Sequence, residues 1–89
     1  MWRLTPGQRL RQRDFGDESV LYNDLSGDTH LLGGSAIHVL ELLQQQATPS
    51  DVLLASLAAA IGCARDERFD AEAGVVLAQL AGYFLIEQF

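Results

Sequence analysis

The hydrophobic period of the chain changes at Gly33-Gly34-Ser35. Before this point, short runs of apolar and β-branched residues alternate with turn-forming clusters, which is typical of strands. After it, apolar residues recur with the i, i+3, i+4, i+7 spacing of one helix face: Ala36, Val39, Leu40 and Leu43. Because the strand patterns all precede the helix patterns, we predict an α+β domain with a three-stranded antiparallel sheet followed by three helices.

Three strands are predicted, over residues 10–15, 19–23 and 29–32. Turn-forming clusters at residues 16–18 and 24–28 connect them, so an antiparallel meander is expected. The first strand alternates poorly, because three arginines share one face and Leu10 is the only large apolar residue on the other. We therefore predict a largely solvated edge strand there.

Three helices are predicted from the remaining apolar spacing and from capping residues. Ser35 is the expected N-cap of the first helix, which ends near Gln46. Thr48 is the expected cap of the second, before a proline at the first helical position, and Gly62 marks its end. Asp70 is the expected cap of the third helix, over residues 70–83, after a charged loop over residues 63–69. The apolar tail is expected to pack back on the core, as a short strand or an irregular segment.

The length and the charge distribution of the chain limit the functions that it can have. The chain has 89 residues, which is enough for one domain, and no apolar run long enough to cross a bilayer. Its single cysteine, Cys63, is compatible with a reducing cytoplasm, and no secretory signal is visible. Residues 1–13 hold four arginines and no acid, whereas the rest holds two arginines and all twelve acids. Such an acidic body argues against nonspecific binding to nucleic acid.

Two stretches resemble the PqqD-like family, also called RiPP recognition elements. The first is Val20-Leu21-Tyr22-Asn23, which leads through Ser26-Gly27-Asp28 into Thr29-His30-Leu31-Leu32. The second is Ala36 with the following Val39-Leu40-Glu41-Leu42-Leu43. The opening Trp2-Arg3-Leu4 is similar to members that are encoded beside kinases related to HPr kinase.

The resemblance implies a winged-helix-like fold and a non-catalytic peptide chaperone, with residues 1–89 as one peptide-binding domain. A precursor or leader peptide would add as a strand to the edge of the third strand, against the third helix. The chaperone would then present it to a separate modifying enzyme in the cytoplasm. We expect the peptide to contact Thr29, His30, Leu31, Leu32, Val75, Val76, Gln79, Leu80 and Tyr83.

Other functions are less well supported by the residues. His30, His38 and Cys63 lack the spacing of a metal site or a nucleophile with its base, so we expect no cofactor, no metal and no catalysis. Gly33-Gly34-Ser35 lacks the lysine of a phosphate-binding loop. The alternatives are a winged-helix DNA-binding regulator and a docking subunit of a neighbouring enzyme. The predicted third helix has no basic residue, which disfavours DNA, and no membrane partner is expected. The sequence does not determine the oligomeric state, and the exposed edges of the sheet would allow a homodimer.

Overall fold

The computed structural model describes residues 1–89 and contains five strands and three helices. The strands are β1 (Trp2–Leu4), β2 (Leu10–Phe15), β3 (Glu18–Asn23), β4 (Thr29–Gly33) and β5 (Ile86–Gln88). The helices are α1 (Gly34–Gln45), α2 (Ser50–Ile61) and α3 (Glu67–Gly82). A three-stranded antiparallel sheet followed by three helices confirms the predicted α+β class.

The larger sheet has the order β2-β3-β4, with both pairs antiparallel. Gly16 and Gly27 lie in its two connections with φ of 71° and 78°, a conformation that glycine adopts without steric cost. Leu21 of the central strand lies opposite Gln12 on one side and His30 on the other, which fixes the register. Strands β2 and β4 are therefore the two borders of this sheet, and β2 is exposed beyond Leu10, as predicted.

A second sheet joins the two ends of the chain. Strands β1 and β5 pair antiparallel, and Arg3 lies opposite Glu87 and donates to its carboxylate at 2.8 Å. Trp2 also forms a β-bridge with Thr48, with backbone hydrogen bonds of 2.8 and 2.9 Å in the two directions. The predicted return of the tail to the core is confirmed as a strand, whereas β1 was not predicted. Strand β1 thus ties the α1–α2 connection to the C-terminus.

The predicted caps of the first two helices are wrong. Helix α1 begins two residues earlier than predicted, with Gly33 at the cap and no side-chain capping hydrogen bond, so Ser35 lies inside the first turn. Helix α2 begins after Pro49 rather than at it. Thr48 is unable to cap α2, because its backbone pairs with Trp2 and its hydroxyl donates to the carbonyl of Gln46 at 3.1 Å.

Helix α3 begins earlier than predicted. Its cap is Asp66, whose carboxylate accepts a hydrogen bond from the backbone N–H of Phe69 at 2.8 Å. Asp70 is therefore not the cap, and the predicted loop ends at Asp66. Asp70 instead binds Arg65 at 3.1 Å, and Arg65 also reaches Asp51 at 3.2 Å. These two carboxylates raise the pKa of Arg65 above its ordinary value and link the starts of α2 and α3.

Replacing the observed cap should destabilise the chain more than replacing the predicted one. We expect Asp66→Ala to lower the free energy of unfolding by about 1 kcal/mol, because an N–H in the first turn of α3 loses its acceptor. Asp70→Ala removes only an ion pair at the surface, and a smaller loss is expected. Urea unfolding at constant salt measures both variants. A larger loss for Asp70→Ala would contradict the assignment of the cap.

The core lies between the helices and the inner face of the sheet. Sixteen buried apolar residues form one cluster: Leu21, Leu32, Ala36, Ile37, Val39, Leu40, Leu43, Leu53, Leu57, Ala58, Phe69, Ala73, Leu77, Leu80, Leu85 and Ile86. Each helix contributes to it, so their apolar faces are fixed against one another and against β3 and β4. None of the three helices has the length and apolar content needed to cross a membrane.

Candidate functional site

The outer border of β4 carries backbone groups that pair with no other strand. The N–H of Asn23 donates to the carbonyl of Asp28, so every second residue from Asp28 bonds to β3, including His30 and Leu32. The intervening residues, Thr29, Leu31 and Gly33, point their N–H groups away from the sheet. The N–H of Asp24 donates to the carbonyl of Arg9, so the β3 residues that bond to β2 are the ones between those that bond to β4. This border is the free β4 edge, a template for one more strand.

One end of α3 lies beside the free β4 edge. The ring of Tyr83, directly after α3, stacks on the ring of His30 with centroids 4.4 Å apart and planes inclined by 22°. Gln79, one turn earlier, donates to the Tyr83 hydroxyl at 3.1 Å. His30 Nε2 is buried and has no hydrogen-bond partner. His30 therefore holds its place by ring packing, and it joins the start of β4 to the end of α3.

A cavity of about 200 Å³ lies among α1, α2 and α3, where β4 leads into α1. It is lined by Ser35, Leu57, Phe69, Glu72, Ala73 and Val76. Ser35 follows shortly after β4, and Val76 lies about two helical turns before Tyr83. We use the name β4–α3 cleft for the surface along α3 that runs from this cavity to the His30–Tyr83 stack, beside the β4–α1 segment. The lining of the cavity is mostly apolar, with one carboxylate, of Glu72, and one hydroxyl, of Ser35.

The predicted peptide-contacting residues lie on β4 and on or just after α3, and their exposure differs. Thr29 and Leu31 are exposed on β4, and Leu31 is 65% exposed. Val75, Gln79 and Tyr83 are exposed on or just after α3, and Val76 and His30 are half-buried. Leu32 and Leu80 lie in the core, with exposures of 2% and 0%. Neither of these two leucine side chains is free to meet another chain, although the backbone of Leu32 still forms part of β4.

Five cavity residues were not predicted as part of the site: Ser35, Leu57, Phe69, Glu72 and Ala73. Ser35 had been interpreted as a cap, and Phe69 as part of a loop. The sequence does contain a signal for Phe69 and Ala73, because Phe69, Ala73, Val76 and Leu80 recur at helical spacing. Extending the predicted third helix back to Phe69 would have placed Phe69 on the same face as Ala73 and the predicted Val76.

A second hollow, of about 280 Å³, lies farther from β4. Three of its six lining residues are charged, namely Asp66, Arg68 and Glu72, and none belongs to β4 or α1. Although it is the larger of the two, it has no strand border beside it. The smaller cavity is therefore the better candidate for the side chain of a paired strand.

Titratable groups elsewhere form no comparable site. The hydroxyl of Ser19 and the amide of Gln12 hold the pKa of Asp14 below its ordinary value, on the β2 side of the sheet. His38 lies 3.4 Å from the hydroxyl of Ser56, between α1 and α2. Cys63 is exposed and free. No three His, Cys, Asp or Glu side chains lie close enough together to hold a metal ion.

Comparison with known proteins gave a structural match. No family model matches the chain, and no curated protein matches its sequence significantly. The fold is similar to that of TbiB1, solved in complex with the TbiA(beta) leader peptide, with a TM-score of 0.70. The two sequences are 17% identical, and the match covers 98% of this chain and 96% of that one. The chain therefore shares a fold with a protein that was solved with a bound leader peptide.

Proposed function

We propose that this chain binds a precursor or leader peptide in the β4–α3 cleft, as a fourth strand on the free β4 edge, and that it does so as a winged-helix-like member of the PqqD-like family. The observation that carries the proposal is the unpaired border of β4 beside α3. The resemblance in residues 20–43 and the fold shared with TbiB1 both support it.

The energetics favour a guest that uses both the backbone and the side chains. The free edge offers the N–H and carbonyl groups of Thr29 and Leu31 and the N–H of Gly33. Each pairing is worth about 0.5–1.5 kcal/mol net, whereas association costs at least about 4 kcal/mol. Backbone pairing alone therefore gives weak binding. Each apolar side chain that the guest buries adds about 1.5–3 kcal/mol, and the cavity provides a place for one.

A guest strand would present its side chains alternately to the cleft and to the outer face of the sheet. Half of them would then be held against α3, while the other half would stay accessible. We propose that the chain holds the peptide in this way without transforming it and presents it to a separate modifying enzyme. The cytoplasm is the expected compartment, and the exposed thiol of Cys63 fits its reducing conditions.

Strand addition predicts a two-residue pattern in an N-methyl scan of the peptide. An mRNA-displayed library of random dodecapeptides provides the probe, and the tightest peptide selected is then methylated at one backbone nitrogen at a time. Methylation of an amide that pairs with β4 should weaken binding about tenfold, because the donor is lost and a carbonyl of β4 is left unpaired. Methylation of the intervening amides should have little effect. Fluorescence anisotropy of labelled peptides measures each affinity.

Two results would contradict the proposal. The first is a selection that yields no peptide retained above the level of an unrelated acidic control protein. The second is a scan without two-residue alternation, because a peptide bound as a helix or through its side chains alone has no such pattern.

The alternative of a DNA-binding regulator is disfavoured by the composition of α3. The helix carries Glu67, Asp70 and Glu72, and its one basic residue, Arg68, lies 3.3 Å from the carboxylate of Glu72. A recognition helix needs basic groups for phosphates and base edges. Retention of labelled duplex DNA at physiological salt would support the alternative.

A further inference from the structure

Phe84 has a backbone conformation that the chain otherwise gives only to glycine. Five residues have positive φ: Gly7, Gly16, Gly27, Gly62 and Phe84, the last with φ of 60°. A side chain in this region brings Cβ close to the following carbonyl, which destabilises the folded state. Helix α2 shows the usual solution, because it ends at Gly62 with φ of 73°.

The end of α3 explains why the conformation is required at residue 84. The N–H of Phe84 donates to the carbonyl of Ala81 at 3.0 Å, and the N–H of Leu85 donates to that of Leu80 at 3.1 Å. This is the Schellman arrangement, whose left-handed position is most often glycine. Leu80 and Leu85 are both completely buried, so packing holds the turn in place.

Neither the backbone nor the core accounts for a phenylalanine at this position. Phe84 is 78% exposed, the largest exposed fraction among the large apolar residues. Glycine or asparagine would satisfy the same turn with less strain. Phe84 is neither in the core nor among the apolar residues packed against it, so burial does not offset the strain at this position.

We propose that Phe84 is a peptide-contacting residue that takes an apolar side chain of the guest at the Tyr83 end of the β4–α3 cleft. Phe84 directly follows Tyr83, whose ring stacks on His30 of β4 and so sets the position of this end of the cleft. The cavity at the other end provides the second apolar contact. The inference rests on the proposed function and adds to it that the guest carries an apolar residue at each end of its paired segment.

Stability and affinity should change in opposite directions when Phe84 is replaced. We expect Phe84→Asn and Phe84→Gly to raise Tm by about 2–5 °C, because both residues accept the left-handed conformation. The affinity for the display-selected peptide should fall about tenfold, because the guest loses part of an apolar contact. Phe15→Asn is the matched control. Phe15 is 59% exposed at the end of β2, on the opposite border of the sheet, and its replacement should leave peptide affinity unchanged.

Unchanged affinity in both Phe84 variants would overturn the inference. If the selected peptide still shows the two-residue pattern of N-methyl effects, the proposed function stands and only the role of Phe84 fails. Sedimentation equilibrium without peptide tests whether the Phe84 ring instead contacts a second copy of the chain. Self-association of the wild type that is lost in Phe84→Asn, with peptide affinity unchanged, would assign the ring to a contact with a second copy of the chain.

Discussion

Leu31→Pro should leave the chain folded and weaken peptide binding by about 30- to 1000-fold. The N–H of Leu31 points away from β3, so proline removes a donor of the free β4 edge and no bond inside the sheet. The guest then loses one hydrogen bond and keeps an unpaired carbonyl, and the proline ring obstructs the approach of its backbone. Together these effects cost about 2–4 kcal/mol. Anisotropy titration with the display-selected peptide measures the loss.

Two further variants distinguish loss of the edge N–H from loss of the Leu31 side chain and from unfolding of the sheet. Leu31→Ala keeps the N–H and removes an apolar side chain that is 65% exposed, so its effect should be much smaller than that of proline. His30→Pro removes a donor that bonds to β3 and should unfold the sheet. Circular dichroism and Tm establish which variants are folded. A folded Leu31→Pro that binds the peptide as tightly as the wild type would exclude β4 as the docking strand.

The order of elements could be predicted because the patterns that encode it are local. The strands of the meander lie within one residue of their predicted bounds, since their turns contain glycines at the positions of positive φ. The β1–β5 sheet could not be predicted in the same way. Its strands have three residues each, and the pairing of Trp2 with Gln88 joins opposite ends of the chain. Segments this short carry too little periodicity to indicate a partner so distant in sequence.

The errors in the helix caps have tertiary causes. The residue types at Ser35, Thr48 and Asp70 all suit a cap, yet each is used otherwise or lies inside its helix. Thr48 pairs with β1, which was not predicted, and Asp70 binds Arg65. The cleft itself could be predicted only in outline. Its strand and helix follow from the resemblance, whereas the cavity depends on how deeply Phe69 and Ala73 pack beneath Ser35.

Filling the cavity from Ser35 should lower peptide affinity by about 10- to 100-fold in a folded protein. Ser35 is half-buried at the cavity, and it makes no capping hydrogen bond that its replacement would break. In Ser35→Phe, the ring can enter the space above Leu57 and Ala73, which are both buried. A guest side chain would then lose the burial worth about 1.5–3 kcal/mol that this space provides. Titration with the display-selected peptide measures the affinity, and urea unfolding measures the stability.

Two controls distinguish occupation of the cavity from loss of the hydroxyl and from a general effect of an added ring. Ser35→Ala should change neither affinity nor the free energy of unfolding by more than about 0.5 kcal/mol, because an uncapped position lacks the usual capping contribution. Val52→Phe enlarges a residue that is 56% exposed on α2 and does not line the cavity, so affinity should be unchanged. If Ser35→Phe is folded and binds like the wild type, the guest does not use this cavity. Binding would then depend only on the free β4 edge and the Tyr83 end of the β4–α3 cleft.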